Sequence, residues 1–134
     1  MKIIISQSTT DVPVTIVRAE GVFDASSVED FMEPTQAAVD DGAYNILIDL
    51  SKVSFMSSIG IRIINALYYQ LHPRESDEQA EEIGRRIKAG TYEAAHLKIL
   101  SPVENVCKVL QMAGVDRYIT IYDQEEKALS AFLE

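Results

Sequence analysis

Several residue types that would support common functions are scarce or missing. The one cysteine, Cys107, excludes an intramolecular disulfide and a cysteine-based zinc cluster. Tryptophan is absent and aromatic residues make up 7%, which leaves few side chains for stacking on nucleic-acid bases. The longest hydrophobic candidate, residues 53–69, is interrupted by serines and Arg62, whereas a membrane span needs about 20 apolar residues in a row. The apolar run near the N-terminus is too short for a signal peptide. We expect a soluble, cytoplasmic chain without a membrane span.

Positive charge is also scarce. The sequence has 12 Lys and Arg against 21 Asp and Glu, a net charge of -9. Such a surface repels phosphate backbones and anionic lipid, so we expect no direct binding to nucleic acid. With 134 residues, 47% of them hydrophobic, the chain is long enough for one domain spanning residues 1–134.

Strand and helix patterns alternate after an opening hairpin. The strand patterns lie at residues 3–5, 14–24, 46–50, 96–100 and 119–122. Helix starts are predicted at Ser26 with Glu29 as a capping box, at Ser57 and Ser58, at Ser101, and at Asp123. Pro34 should disturb the first helix, and Gly114 should provide a left-handed end to the third. The order predicts a single α/β domain with a mixed central sheet and about four α-helices.

The segment at residues 73–95 is strongly charged. Glu81 and Glu82 precede Arg85 and Arg86 by four residues, a spacing typical of a solvated helix, and Gly90 would end it. A mobile loop is the alternative interpretation.

Signatures of catalysis are missing from the sequence. No Gly-rich phosphate loop, nucleophile elbow or metal-binding helix motif occurs, so we expect no catalytic residue, metal or cofactor, and no enzyme. His72 and His96 are interpreted as unremarkable surface or boundary histidines, and Cys107 as a small core residue. Asp49, at the end of an apolar strand, resembles a phospho-accepting aspartate of a receiver domain. The acidic pair that receivers need after the first strand is absent, however, and Lys98 lies inside its strand. We therefore predict that Asp49 braces the following turn.

The serine pair at the start of the apolar helix is the remaining candidate site. Ser57 and Ser58 are suited to cap the helix, because hydroxyls satisfy free amides there. The same position also suits a phosphate, because a helix N-terminus carries partial positive charge. Spacing alone leaves both interpretations open.

Taken together, the motifs resemble the STAS family, named after sulfate transporters and anti-sigma factor antagonists. The resemblance covers nearly the whole chain in the family's order. It is carried by residues 21–24 (GVFD), 46–51 (ILIDLS), 55–62 (FMSSIGIR), 110–115 (LQMAGV), 121–123 (IYD) and 128–129 (AL).

The resemblance implies a role in partner switching. In family members of the anti-sigma antagonist type, the serine two residues before the signature glycine accepts a phosphoryl group. Aligning on Gly60 gives that role to Ser58, with Ser57 in a position often held by Asp and Ile59 in place of Ser or Ala. The implied partner-binding residues are Asp24, Ser57, Ser58, Ile59, Gly60 and Arg62.

The implied partners are an anti-sigma factor with serine kinase activity and a serine phosphatase. The unphosphorylated chain would bind the kinase, and the phosphorylated chain would release it. The alternative is a STAS-like module that binds a small anionic ligand, or a subunit of a transport or signalling assembly. The charged segment near residues 73–95 is interpreted as an insertion relative to compact family members.

Overall fold

A five-stranded mixed sheet forms the centre of the described chain. The computed structural model describes residues 1–8, 10–73, 77–90 and 92–133. Its strands are β1 (Lys2–Gln7), β2 (Thr15–Phe23), β3 (Ile46–Met56), β4 (Leu97–Leu100) and β5 (Ile121–Tyr122). Its helices are α1 (Val28–Asp40), α2 (Ser58–Leu71), α3 (Asp77–Lys88), α4 (Glu104–Met112) and α5 (Glu125–Ala131).

The strands lie side by side in chain order. β1 pairs with β2 in antiparallel orientation, from Lys2 opposite Glu20 to Gln7 opposite Thr15. β2, β3, β4 and β5 are parallel to one another. The predicted opening hairpin and mixed sheet are therefore confirmed. β3 is longer than predicted, because pairing with β2 continues to Met56.

Apolar residues on the two faces of the sheet form two cores. The larger core contains Phe31 of α1, Ile64 of α2 and Val106 of α4. The smaller core joins β2, β3 and β4 to α5 through Ala128 and Phe132. β3 is an interior strand between β2 and β4. Because helices cover both faces of the sheet, its first five residues are all buried, as its apolar sequence predicts.

The charged segment contains a helix where the structure describes it. α3 carries an ion pair between Arg85 and Glu82 at 2.8 Å, three residues apart instead of the predicted four. Gly90, just beyond α3, has a left-handed φ of 72°. The part of the prediction that concerns residues 74–76 and 91 lies outside the described residues.

Two predictions about α1 are wrong. Ser26 does not cap the helix, because Asp24 caps a preceding 3-10 turn (Ala25–Ser27) in a reciprocal capping box with Ser27. Pro34 does not interrupt α1, which continues through it from Val28 to Asp40. Phe31 and Thr35 on either side of Pro34 are buried, and this packing offsets the backbone hydrogen bond that proline cannot donate.

Two further predicted caps are also wrong. Ser101 still belongs to the sheet edge, since its amide donates to Tyr122 at 2.7 Å, and α4 begins three residues later. Asp123 does not cap α5, whose cap position is Gln124. Gly114 does adopt the predicted left-handed conformation, with φ of 77°. Cys107 is half-buried on α4 and not a core residue.

Candidate functional site

The carboxyl ends of β2 and β3 lie beside each other and hold the predicted site. The amide of Ser57 donates to the carbonyl of Phe23 at 2.9 Å, one step beyond the last strand pair. Asp24 follows Phe23 directly, so its backbone lies close to that of Ser57, although 33 residues separate Asp24 from Ser58, where the helix begins. The parallel pairing of the strands thus brings two separate sequence motifs to one edge.

Ser57 and Ser58 have different roles at the start of α2. Ser57 is the N-cap, and its Oγ accepts from the amide of Ile59 at 3.3 Å. Ser58 is the first helical residue, and it is exposed. Its hydroxyl has no hydrogen-bond partner among the described residues. Ser57 therefore caps the helix, and Ser58 presents an exposed hydroxyl. The sequence alone did not show which serine has which role.

Gly60 allows the start of α2 to approach the sheet closely. It is buried, and a Cβ built on it would lie 2.7 Å from Cγ of Met56 and 3.2 Å from Cγ of Phe23. Real Cβ contacts are longer, so any side chain here would displace α2 or its neighbours. Gly60 consequently has little surface for a partner, and its contribution is to the position of the serines.

Asp24 presents a fixed carboxylate beside the serines. Its Oδ1 accepts from the Ser26 hydroxyl at 2.6 Å and from the Ser26 amide at 2.9 Å. Its own amide donates to Ser27 Oγ at 3.0 Å. The bond from the Ser26 hydroxyl is the main reason that the pKa of Asp24 lies below its usual range. The group is therefore a carboxylate at neutral pH.

The remaining predicted contacts lie on the first turns of α2. Ile59 is half-buried, whereas Arg62 is exposed. Arg62 forms no ion pair or hydrogen bond with any described residue. It follows Ser58 by four residues, the spacing that places two side chains on the same side of a helix.

Two exposed apolar residues beside this edge were not predicted. Val22 and Phe55 are opposite each other in β2 and β3, and are 41% and 50% exposed. The strand register shifts between Gly21 and Val22, because β3 has one extra residue there, Ser54. The side-chain amide of Asn105 donates a hydrogen bond to the Ser54 carbonyl at 2.9 Å. Side chains alternate between the two faces of a strand, so Val22 lies on the same face as the polar Glu20. This alternation could have predicted the exposure of Val22 from the sequence. Phe55 could not be found this way, because the shift changes its parity.

Asp49 braces the backbone that follows it, as predicted, but that backbone continues β3 and is not a turn. Asp49 also has a partner that the sequence did not reveal. Its Oδ1 accepts from the Ser51 amide at 2.9 Å, and its Oδ2 from Arg18 at 2.7 Å. Arg18 also pairs with Glu125 of α5 at 2.6 Å. Burial raises the pKa of Asp49, but the Ser51 and Arg18 bonds outweigh burial and hold it below the usual value. Lys98 pairs with Glu93 at 2.7 Å instead, an arrangement unlike that of a receiver.

His72 and His96 are brought together at the opposite end of α2, 5.2 Å between ring centres. The His96 amide donates to Nε2 of His72 at 3.0 Å, so Nδ1 of His72 carries the hydrogen that is donated to the Tyr68 carbonyl at 2.9 Å. Burial lowers the pKa of both rings. The pair joins α2 to the start of β4, and its role is structural.

Two further features of the described residues concern metal binding and membrane insertion. No cluster of three or more His, Cys, Asp or Glu side chains in them is arranged to bind a metal ion. None of the described helices combines the length and apolar character that crossing a bilayer requires.

The site and the fold agree with one family of domains. The family model of the STAS domain matches residues 5–77, which is more than half of the 134-residue chain and includes Asp24 and the serine pair. The chain belongs to the STAS domain family. No curated protein sequence matches the chain.

Solved structures of STAS-like proteins have the same fold. An anti-sigma factor antagonist from Mycobacterium paratuberculosis superposes with a TM-score of 0.73 at 20% identity, over 99% of this chain and 96% of its own. SpoIIAA in its unphosphorylated form gives 0.65 at 18% identity, over 95% and 94%. The Bacillus cell fate determinant SpoIIAA in its phosphorylated form gives 0.54 at 19%, over 95% and 97%. At these identities the likeness is one of fold.

Proposed function

We propose that this chain is an anti-sigma factor antagonist that works by phosphorylation-controlled partner switching. Unmodified, it binds an anti-sigma factor that is also a serine kinase, and the sigma factor is released. The kinase transfers the γ-phosphoryl group of ATP to Oγ of Ser58, which loses its proton, and ADP leaves. The phosphorylated chain no longer binds, until a serine phosphatase hydrolyses the phosphate.

The observation that carries the proposal is the exposed Ser58 hydroxyl at the first residue of α2. A kinase needs an accessible hydroxyl without a competing internal bond, and Ser58 meets both conditions within the described residues. Ser57 meets neither, because it is half-buried and its Oγ accepts from the Ile59 amide. Ser58 is thus the better phosphoryl acceptor of the two.

A phosphate at Ser58 would change the partner-binding face without unfolding the domain. It adds about -1.5 to -2 charge at the edge of the sheet that also carries the carboxylate of Asp24. We assign to that face Asp24, Ser57, Ser58, Ile59 and Arg62, with Gly60 setting its shape. A partner that binds this edge already buries the Asp24 carboxylate. After phosphorylation it would also have to remove water from a phosphate dianion, and this free-energy cost opposes binding.

Structural neighbours support this proposal. One is an anti-sigma factor antagonist, and another, SpoIIAA, exists in unphosphorylated and phosphorylated forms. The phosphorylated form retains the STAS-like fold. This agrees with a switch that acts through surface charge.

Binding measurements with two variants of Ser58 and one variant of Ser57 test the proposal. The partner used is an anti-sigma factor with serine kinase activity from the same host. Without ATP, Ser58→Ala should bind it like the parent, and Ser58→Asp should bind at least about tenfold more weakly, since a buried unpaired charge costs more than 1.4 kcal/mol. With ATP, the parent should be released and Ser58→Ala retained.

The matched control changes Ser57. Ser57→Ala should remain a substrate and be released with ATP, because it keeps the Ser58 hydroxyl. If Ser58→Asp binds like Ser58→Ala, or if ATP releases Ser58→Ala, the switch does not depend on Ser58 and the proposal is wrong.

A further inference from the structure

Ser58 and Arg62 are positioned to interact once Ser58 carries a phosphate. Both are exposed and four residues apart in α2. Cβ atoms at this spacing are about 5–6 Å apart. Helical side chains also lean toward the N-terminus, which directs Arg62 back toward Ser58. A phosphoryl group on Oγ of Ser58 therefore lies within the reach of the guanidinium.

Arg62 has no competing partner among the described residues, which distinguishes it from the cations that stabilise the fold. Arg18 is held by Asp49 and Glu125, and Lys98 by Glu93. Forming a new pair at Arg62 consequently breaks no existing ion pair.

The surrounding charges make such a pair valuable. Asp24 lies beside the serines, and Glu29 and Asp30 are in the first turn of α1, which packs against α2. The N-terminal amine is paired with Asp30 at 3.0 Å and also contributes to the lowered pKa of Asp24, whose carboxylate keeps its negative charge. Arg62 is the cation that the sequence supplies within one turn of Ser58.

We propose that Arg62 binds the phosphate of phosphorylated Ser58. The planar guanidinium offers two parallel donors to phosphate oxygens, a strong and directional pairing. Phosphorylation then has two effects on the partner-binding face. It adds a dianion, and it makes the Arg62 side chain unavailable to the partner. The inference depends on the proposed function in that Ser58 is the residue modified.

The ionisation of the phosphate measures this pairing directly, without a kinase or partner. The full chain is made with phosphoserine incorporated genetically at position 58, and its phosphorus NMR signal is titrated. The second pKa of such a phosphate is about 6 when unperturbed. A cation that binds the dianion lowers this pKa, so Arg62→Gln should raise it by at least about 0.3 units relative to the parent.

Arg117→Gln is the matched control, because it removes the same charge from an exposed position near Tyr69, at the opposite end of α2. It should leave the phosphate pKa within error of the parent, while Arg62→Lys should restore most of the shift. If Arg62→Gln and Arg117→Gln titrate alike, Arg62 does not bind the phosphate.

This failure is distinguishable from failure of the proposed function. A partner that binds the phosphorylated and unmodified chains equally would overturn the switch while leaving the Arg62 effect on the phosphate intact. Equal titration of the two variants would overturn the pairing while leaving the Ser58 switch intact.

Discussion

The Ser57 amide donates to the Phe23 carbonyl at 2.9 Å, and this bond joins the two halves of the candidate site. It extends the parallel pairing of β2 and β3 by one residue and holds Asp24 beside the start of α2. Asp24, Ser57 and Ser58 thus share one edge because of backbone pairing. Changes to these side chains can therefore alter charge and recognition while the fold is retained.

The two serines should differ in their effect on stability. Ser57→Ala removes the N-cap bond to the Ile59 amide and should lower the free energy of unfolding by about 1 kcal/mol. Ser58→Ala removes an exposed hydroxyl and should change it by less than about 0.5 kcal/mol. Urea unfolding followed by circular dichroism measures both. Equal losses would contradict the division of roles between the serines.

Gly60→Ala should destabilise the chain because the new methyl group overlaps Met56 and Phe23. Overpacking of this kind costs about 1–3 kcal/mol. Gly84→Ala is the matched control, since nothing lies within 4 Å of a Cβ there and the residue is inside α3. That variant should be neutral or slightly more stable. Thermal unfolding of the two variants compares them, and a Gly60→Ala protein as stable as the parent would contradict the close approach.

Asp49→Asn should lower the free energy of unfolding at pH 7 by about 2 kcal/mol, because it weakens bonds to the Ser51 amide and to Arg18. The pKa of Asp49 is lowered in the folded state, so its contribution is present above its ordinary value of 3.8. That contribution is lost as the pH falls through the folded pKa. The variant should therefore lose less stability than the parent as the pH is lowered from about 5 to below 3.8.

Unfolding in urea at several pH values gives this comparison. Lys52→Gln is the control, because it breaks an exposed cross-strand pair with Glu20 and should cost less than about 1 kcal/mol. An Asp49→Asn protein with the acid sensitivity of the parent would exclude the bracing role.

The histidine pair should make stability fall below neutral pH. Burial lowers the pKa of His72 in the folded state from an ordinary value of 6.5, and the charges of His96 and Lys98 lower it further. Below pH 6.5 the unfolded chain consequently binds more protons, and stability falls until the pH reaches the folded pKa. His72→Gln should reduce this slope, and a double variant with His96→Gln should reduce it further. Midpoints of urea unfolding at pH 7.5 and 5.5 measure this slope. A slope that is unchanged in the double variant would contradict the role of the two histidines in the pH dependence.

The sequence predicted the elements of this fold better than their ends. The hairpin, interior strand β3 and the helix at the serine pair follow from apolar periodicity, which tertiary packing reinforces. The caps at Ser26 and Ser101 were wrong because serine hydroxyls also bond to other local groups, here the Asp24 carboxylate and the Asp123 carbonyl. The cap at Asp123 was wrong by one residue, since α5 has Gln124 in that position. Local sequence does not distinguish these uses.

The sequence predicted which residues belong to the site but not how they are arranged in space. Asp24 and Ser58 came from resemblance to the STAS family, whereas their adjacency depends on the register of β2 and β3. The exposure of Phe55 depends on an irregularity in that register, which no local pattern encodes, whereas that of Val22 follows the alternation of β2. The contact of Arg18 with Asp49 links residues 31 apart, which only the paired sheet brings together.

Mass spectrometry of the protein purified from its own host, in growing and in stationary cells, tests the central claim most directly. The account predicts that a fraction of the chain gains the mass of one phosphoryl group, that peptide fragmentation assigns it to Ser58, and that Ser58→Ala abolishes it. A phosphoryl group found on Ser57 with Ser58 unmodified, or none in either state, would contradict the account.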